Sequence, residues 1–432
     1  MIFYIIGTFI ILYSFFNFQR AFLLFLIFKM VLVQNITIVS IPGVPLLTLE
    51  VFLTLYFVIA FLVKRKHLVV DSAPFPFKKP FVFLACSWTL STLFAYVGFG
   101  EAFSQYLRDV CQDLLLVVMM WLLLRTEKDF LFVFKGLIIV FFISCIYGIY
   151  ENSIQVNPLA DYELTLNADL SRQIDFDYSD DVLRGYRIKS IFEHAIGAGI
   201  MWAMCFFMVI YVWMKSKIKL PYKYFSLITA LLSVACLFYS RSRGPIVFLL
   251  ISCLGLIDFR RKRFYFATAI LLVLSFVLWS EFSQFSDNIT SLFSSKVQSR
   301  IGGSSANMRL DQLGAAILLM KDSPLIGLGY KYLNTMNSLL TERLLGGESL
   351  WFTILPQFGI IGIVANLIMA YYSIIKIPSL YKSKEILFLS LAYWITASLT
   401  STPGLKMFFY YFVYFFLIKQ SSIYKFNKEK GK

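Results

Sequence analysis

The segment Ser240-Arg241-Ser242-Arg243-Gly244-Pro245 places two arginines in a turn between two apolar stretches, a combination suited to binding an anion. One helix is predicted to end near Ser240, and Pro245 suits the first turn of the next helix. The free N–H groups and the dipole at a helix start favour an anion, and guanidinium groups match phosphate oxygens in pairs. We therefore interpret Arg241 and Arg243 as a phosphate or pyrophosphate site. The alternative is a basic turn that extends to lipid headgroups.

A second candidate anion site lies in the stretch that runs from Asn307 to Tyr330. Apolar residues at helical spacing predict an amphipathic helix at the membrane interface: Leu310, Leu313, Ile317 and Met320. Arg309 falls in the first turn of this helix, where a cation opposes the helix dipole, and this conflict points to an external anion. A solvent-facing arginine is the alternative. Pro324 ends the helix, and Gly327 and Gly329 allow a tight turn.

Glu348 follows two glycines and opens a long apolar stretch, so it is a candidate general base at the membrane surface. Gly346 and Gly347 allow the backbone to approach another molecule closely. A general base must lie within hydrogen-bond reach of the proton that it removes. The alternative is that Glu348 only interacts favourably with the dipole at the helix start.

A fourth group of polar residues precedes or enters an apolar span: Arg184, Arg187, Lys189, Glu193 and His194. His194 is predicted to lie about one and a half turns inside that span, beside Glu193. Charged and ionisable residues at membrane depth are costly and are therefore functional candidates. For His194, the alternative to a catalytic role is a polar contact that is already satisfied within the protein.

The composition of the chain predicts an all-α integral membrane protein with about 12–13 transmembrane helices. Of the 432 residues, 59% are apolar and 15% are charged, whereas soluble domains have roughly 25% charged residues. Apolar runs of about spanning length recur at 2–17, 21–39, 44–63, 81–99, 103–124, 130–150, 189–213, 222–240, 244–258, 263–280, 348–375, 385–401 and 404–419.

The distribution of basic residues predicts how these spans are oriented. The net charge is +15, but the basic clusters fall at every second connection between spans, a pattern typical of membrane topology rather than of nucleic acid binding. The connections rich in Lys and Arg are assigned to the cytoplasm, together with the C-terminus. The long loops 151–188 and 281–347 are then outside, and the candidate site residues share that outer face. His67 falls on the cytoplasmic side, so no histidine-based metal site is expected.

Taken in this order, these motifs resemble the O-antigen ligase/polymerase superfamily, which comprises WaaL-like ligases and Wzy-like polymerases. The similarity rests on the S-R-S-R-G turn at 240–244, the R-x-x-Q…P-L-I-G-L-G stretch at 309–329, and Glu348-Ser349 opening a span with Gly359 and Gly362 behind it. It covers roughly residues 185–405. The resemblance implies a GT-C-like glycosyltransferase with a large outer-face loop, which uses no cofactor or metal.

The resemblance also implies substrates and roles for individual residues. The substrate is a polyprenyl-pyrophosphate-linked glycan, bound at the outer face of the cytoplasmic (inner) membrane among membrane lipids. Arg241 and Arg243 match the family's pyrophosphate-binding turn, and Arg309 matches the arginine of its loop motif. We add Arg184 and Arg187 as substrate-binding candidates and His194, with Glu348 and Arg309, as a catalytic candidate.

A polysaccharide polymerase that joins repeat units of O-antigen, capsule or exopolysaccharide is the predicted function. Ligases of this superfamily typically have His where this chain has Glu348, and this departure favours a polymerase over a ligase acting on lipid A core. A flippase or transporter for lipid-linked glycans is a further alternative, and a chain-length regulator protein is left open as a partner. The predicted regions are 1–150, 151–188, 189–280, 281–347 and 348–432.

Overall fold

The fold is taken from a computed structural model, which describes residues 2–32, 37–39, 47–68, 74–166, 185–216, 218–258, 306–335, 344, 348–400 and 407–421. Within this part of the chain almost all regular structure is helical, and a short antiparallel pair of strands, β1 (Thr37–Val39) and β2 (Leu47–Thr48), is the exception. The predicted span 263–280 lies outside the described residues, as do Arg184, residues 281–305 of the predicted loop 281–347, and Gly346 and Gly347.

The described helices of the first half of the chain are α1 (Ile2–Phe16), α2 (Phe18–Val31), α3 (Leu49–Leu68), α4 (Lys78–Leu93), α5 (Phe99–Asp109), α6 (Leu116–Leu123), α7 (Glu127–Ile154) and α8 (Pro158–Leu166). Helices α5 and α6 form one continuous rod, because the π-helical stretch Val110–Leu115 joins them. Helix α8 is not predicted from the sequence and falls in the expected loop 151–188.

The second half continues with α9 (Ala195–Met214), α10 (Lys223–Tyr239), α11 (Arg243–Leu254), α12 (Ala306–Met320), α13 (Tyr332–Thr335), α14 (Leu350–Tyr371), α15 (Ile377–Tyr381), α16 (Lys384–Leu399) and α17 (Met407–Gln420). A second π-helical stretch, Tyr372–Lys376, joins α14 to α15. The span predicted at 189–213 begins later than expected, at Ala195, because residues 190–194 form turns and bends rather than helix.

Apolar side chains cover both the inside and the outside of the described helices, which identifies a membrane protein. Three of these helices are long and apolar enough to cross a membrane on length and composition: Glu127–Ile154, Ala195–Met214 and Leu350–Tyr381. Large apolar side chains such as Phe16 and Val63 are exposed, as lipid-facing residues are. The number of spans and the GT-C-like architecture remain predictions.

Helix α9 lies at the centre of the bundle and is almost entirely buried. It packs closely on the turn between α10 and α11, because a Cβ atom placed on Gly199 would lie 2.5 Å from Cγ of Pro245 and 2.9 Å from Oγ of Ser240. Helix α11 in turn packs on α16, where a Cβ atom on Gly244 would lie 2.8 Å from Cγ2 of Thr400. Small residues thus let three helices approach closely around the arginine turn.

Helix α14 is broken at Gly359, which has φ 58° and ψ −156°, and the loop 324–329 pairs with the backbone groups that the break releases. The N–H groups of Leu328 and Gly329 donate to the carbonyls of Pro356 (2.7 Å) and Gln357 (3.0 Å). On the other side of the break, Ile360 N–H donates to the carbonyl of Pro324 and Ile361 N–H to that of Leu325, at 2.9 and 3.0 Å. An unpaired backbone group in a membrane costs several kcal/mol, so this loop stabilises the broken helix.

The pairing between the loop 324–329 and α14 explains the glycines of the P-L-I-G-L-G motif. A substitution at Gly327 tests this explanation. Gly327 has φ 73°, and a Cβ atom there would lie 2.4 Å from the carbonyl carbon and oxygen of Gln357. We expect Gly327→Ala to lower the free energy of unfolding by about 2–4 kcal/mol, from backbone strain and displaced packing. The matched control is Gly314→Ala in α12, because a Cβ atom built on Gly314 would meet no neighbouring atom within 4 Å beyond its own helix backbone. We expect this substitution to be neutral or slightly stabilising. Thermal unfolding of both purified variants measures the difference, and equal melting temperatures would contradict this account.

Candidate functional site

The turn between α10 and α11 carries the two predicted pyrophosphate-binding arginines. Arg241 has a left-handed backbone, with φ 46°, and its N–H donates to the carbonyl of Phe238 at 2.9 Å. Arg243 is the first residue of α11, and Pro245 lies in that first turn, as predicted. The Ser242 side chain does not cap α11. The helix start therefore combines two arginines with an uncapped first turn, which is the arrangement that favours an anion.

Arg187 holds the arginine turn from the side. Its Nε donates to the carbonyl of Ser240 at 3.3 Å, and its Nη2 donates to Oγ of Ser242 at 2.7 Å. Oγ of Ser242 in turn donates to the same Ser240 carbonyl at 2.8 Å, which explains why it does not cap α11. These two hydrogen bonds join Arg187 to the turn, and its role in substrate binding stays a prediction.

Arg241 reaches across to the extended segment that carries Arg187. Gly185 has φ 74°, and a Cβ atom built on it would lie 1.8 Å from Nη1 of Arg241. The guanidinium of Arg241 therefore packs directly against the backbone of Gly185, a contact that only glycine permits. The segment that begins at Gly185 and the turn 240–243 form one packed unit.

Glu151, which the sequence analysis did not select, anchors this unit to α7. Its carboxylate is fully buried and accepts hydrogen bonds from the Lys189 N–H (3.1 Å), the Ser190 N–H (2.6 Å), the Tyr186 hydroxyl (3.0 Å) and the Asn157 amide (3.0 Å). A buried carboxylate is tolerated when several donors satisfy it. The available signal was a glutamate at the end of a long apolar helix, which resembles any helix terminus in the sequence.

The anchor at Glu151 leads to a prediction about the arginine turn. Glu151→Gln replaces one acceptor oxygen with an amide that opposes an N–H donor, so we expect a loss of about 1–3 kcal/mol in unfolding free energy. Looser placement of Arg187 should accompany this loss and lower the activity. Glu101→Gln, at an exposed position on α5, is the matched control. Thermal unfolding and activity assays of both variants test the prediction, which fails if the two behave alike.

A second group joins Arg309, Gln312 and Glu348 across a sequence separation of 39 residues. Nη2 of Arg309 lies 3.2 Å from Oε2 of Glu348, and each side chain is 26% exposed. The Gln312 side chain is 1% exposed, and its Oε1 accepts a hydrogen bond from the Glu348 N–H at 3.1 Å. The structure therefore brings together the two residues that were predicted separately, and it adds Gln312, which the R-x-x-Q spacing already contained.

Glu348 does not occupy the capping position of α14. Oγ of Ser349 accepts the N–H of Trp351 at 3.3 Å, so Ser349 is the N-cap and Glu348 lies before it. The carboxylate of Glu348 is directed to Arg309 rather than to the helix start. Interaction with the helix dipole, which was the alternative interpretation of Glu348, is therefore secondary to this ion pair.

Helix α12 follows the predicted bounds, but the side that packs on the protein differs from the predicted apolar stripe. Gln312, Ala315, Ala316 and Leu319 are buried against the rest of the protein, whereas Leu310 and Ile317 are exposed. The exposed apolar stripe remains suited to lipid. Burial of the other side places Gln312 beneath the Arg309–Glu348 pair.

His194 occupies a different position from the predicted one. It is the N-cap of α9 rather than a residue inside the helix, and its Nδ1 accepts the N–H of Ile196 at 3.1 Å. This contact gives His194 a structural role at the start of α9, and its predicted catalytic role is untested.

The end of α16 connects the arginine turn to the Arg309–Glu348 pair. Trp351, three residues after Glu348, donates through Nε1 to Oγ of Ser398 at 2.8 Å. Thr400, two residues after Ser398, packs on Gly244 of the arginine turn. Both groups therefore border one end of the helix bundle, which we call the arginine end: residues 240–245, 309 and 348–350.

Comparison with known proteins supports a specific family. Residues 228–367 match the model of a family described as O-Antigen ligase. This region runs from α10 through the arginine turn and the Arg309–Glu348 pair to the second half of α14. No curated protein and no solved structure gives a significant match to the chain.

Proposed function

We propose, on the premise that the chain is a member of the O-antigen ligase/polymerase superfamily as residues 228–367 support, that it transfers glycan from a polyprenyl pyrophosphate carrier. The product we propose is a longer polysaccharide, made from repeat units at the outer face of the cytoplasmic membrane. The observation that carries the proposal is the arginine turn, which Arg187 holds in place beside the start of α11.

The arginine turn supplies what the leaving group of this reaction requires. When the bond between the anomeric carbon and the pyrophosphate oxygen breaks, negative charge develops on the pyrophosphate. Guanidinium groups that are already fixed near the membrane stabilise this charge without reorganising at the moment of reaction. Arg241 and Arg243 have this role in the proposed mechanism, and because they carry the positive charge, the reaction needs no metal ion. Arg184, which lies outside the described residues, remains a substrate-binding candidate.

Glu348 is the proposed general base for the acceptor. The acceptor hydroxyl oxygen attacks the anomeric carbon, the bond to pyrophosphate breaks, and the hydroxyl proton passes to the Glu348 carboxylate. Arg309 holds this carboxylate in the resting protein, at 3.2 Å. A phosphate oxygen of the bound substrate would compete for the same guanidinium, so substrate binding itself would release the base.

A ligase is the second candidate, since the matched family is described as O-Antigen ligase. A glutamate rather than a histidine at the start of the span favours the polymerase. A transporter is less consistent with the positions of the polar groups, because transporters place their substrate sites near the middle of the membrane. Here the arginine turn and the Arg309–Glu348 pair both lie at the arginine end.

Incubation of the purified protein with lipid-linked repeat units distinguishes these functions. Growth of the glycan on its lipid carrier would identify a polymerase. Transfer only to added lipid A core would identify a ligase. If neither product forms while labelled lipid-linked glycan moves across proteoliposome membranes, the protein is a transporter and the proposal is wrong.

A further inference from the structure

A cavity of about 320 Å³ lies between α4, the α5–α6 rod, α14, α16 and α17. Tyr330 and Leu350 line it, and Leu350 is the second residue after Glu348, so the cavity extends into the bundle from the arginine end. Ligand sites in proteins range from roughly 300 to 1,000 Å³, which places this one at the small end. Its size suits one ring-sized group rather than an extended chain.

Two carboxylates line the cavity from the π-helical part of the α5–α6 rod. Asp109 immediately precedes the π-helical stretch Val110–Leu115, and Asp113 lies inside it. Nε2 of Gln105 donates to Oδ1 of Asp109 at 2.7 Å. Single-turn π-helices occur frequently at functional sites, and carboxylates within a membrane domain are costly unless they serve a function.

Tyr330 supplies an independent indication that a polar ligand belongs here. Its side chain is 4% exposed, and its hydroxyl lies close to the Asp109 carboxyl without forming a hydrogen bond of good geometry to any described residue. Burial and the nearby negative charges of Asp109 and Asp113 raise the pKa of Tyr330 well above its usual value. A buried hydroxyl without a partner costs roughly 1–3 kcal/mol, which a ligand that hydrogen-bonds to it would recover.

The remaining walls select the kind of ligand. Trp88 and Trp394 contribute flat aromatic surface, and Gln357 and Asn366 contribute amides that both donate and accept hydrogen bonds. The C–H groups of a sugar ring pack on aromatic faces, while its hydroxyls donate to carboxylates. The two aspartates favour a hydroxyl over a phosphate group, and a hydrocarbon chain would leave their polar atoms without hydrogen-bond partners.

We propose that this cavity binds one uncharged pyranose ring of the glycan substrate, through its hydroxyls to Asp109, Asp113 and Tyr330. The proposal rests on the proposed function and assigns the sugar to a location separate from the pyrophosphate. Anionic groups bind at the arginine turn, and the acidic, aromatic cavity takes the neutral part of the same molecule. Sugars with carboxylate or phosphate substituents would be excluded.

Tryptophan fluorescence tests this assignment, since two of the seven tryptophans line the cavity. The full-length protein in nanodiscs is titrated with methyl glycosides of neutral hexoses and N-acetylhexosamines, in the millimolar range. Inorganic pyrophosphate is titrated separately by calorimetry and reports on the arginine turn. We expect a saturable fluorescence change with at least one neutral glycoside, and no such change with a methyl uronide or with sodium chloride.

Substitutions of the lining residues test whether the fluorescence change arises from the proposed sugar contacts. Asp109→Asn and Asp113→Asn should each weaken glycoside binding about tenfold, because each replaces a carboxyl acceptor with an amide. Tyr330→Phe should weaken it by roughly threefold to tenfold. Glu101→Gln on α5 is the matched control and should bind glycoside normally. Thermal unfolding establishes that each variant is folded.

The outcomes separate this proposal from the proposed function. If no neutral glycoside gives a saturable change, or if the aspartate variants bind like the unmodified protein, the sugar site is wrong even when pyrophosphate still binds. A response to sodium chloride in place of glycoside would also overturn it, in favour of a cation site. Loss of pyrophosphate binding in Arg241→Ala with unchanged glycoside binding supports both proposals. Glycoside binding without any pyrophosphate binding would retain the sugar site and contradict the proposed function.

Discussion

Replacing Arg241 or Arg243 with alanine is expected to lower the rate of glycan polymer formation by about 10²–10³-fold, while the protein remains in the membrane at its normal level. The reason is that charge develops on the leaving pyrophosphate, and a fixed donor aimed at such charge contributes more in the transition state than in the ground state. Alanine at position 241 adopts the left-handed backbone at a cost similar to that of arginine, so the substitution tests the side chain. The measurement is the initial rate of chain growth from lipid-linked repeat units.

Two controls make this result specific to the guanidinium groups of the turn. Arg241→Lys keeps the positive charge but loses the paired donors that match phosphate oxygens, so we expect an intermediate rate. Arg125→Ala removes an arginine whose Nε contacts the Leu122 carbonyl next to α6, and it should leave the rate unchanged. Polymer of normal length and amount in both Arg241→Ala and Arg243→Ala would contradict the pyrophosphate assignment.

Glu348→Gln is expected to reduce the rate by about 10²–10⁴-fold, the usual contribution of a general base. The substitution keeps the size of the side chain and the N–H contact to Gln312, and it removes the carboxylate that accepts the proton. The alternative role of Glu348 is to hold Arg309, with which it pairs at 3.2 Å. The rate of the single variant does not separate these two roles, because Glu348→Gln removes the base and the partner of Arg309 at the same time.

A double-mutant cycle separates the two roles of Glu348. In an Arg309→Met background, Glu348→Gln should still reduce the rate about 10²-fold or more if the carboxylate is a base. If it serves only to position Arg309, the second substitution should have no further effect. An unchanged glycan ladder for the single Glu348→Gln variant would exclude the catalytic role altogether.

Several outcomes of the fold were predictable because they depend on local sequence. The helices α1, α10 and α17 begin and end within a few residues of the predicted spans, since apolar runs bounded by polar residues specify where a chain crosses a membrane. Helix α12 likewise starts and stops near its predicted limits, with Pro324 shortly after it. Lys29 lies within the predicted span 21–39, but the sequence does not indicate its buried ion pair with Glu50.

By itself, the sequence determined the membrane class, the arginine turn and the separate candidates Arg309 and Glu348, because hydropathy and turn chemistry act over a few neighbouring residues. Only the tertiary structure decided which of these residues meet. It paired Arg309 with Glu348, placed Arg187 against the arginine turn and moved His194 to a helix cap.

The structure also revealed features for which the sequence has no local signal. Glu151 anchors the segment 185–190, the break at Gly359 receives the loop 324–329, and Asp109 and Asp113 line one cavity with Tyr330. Each of these contacts joins groups that are distant in the chain. Their positions depend on how helices pack and on which buried polar groups then require partners, and both are properties of the folded chain as a whole.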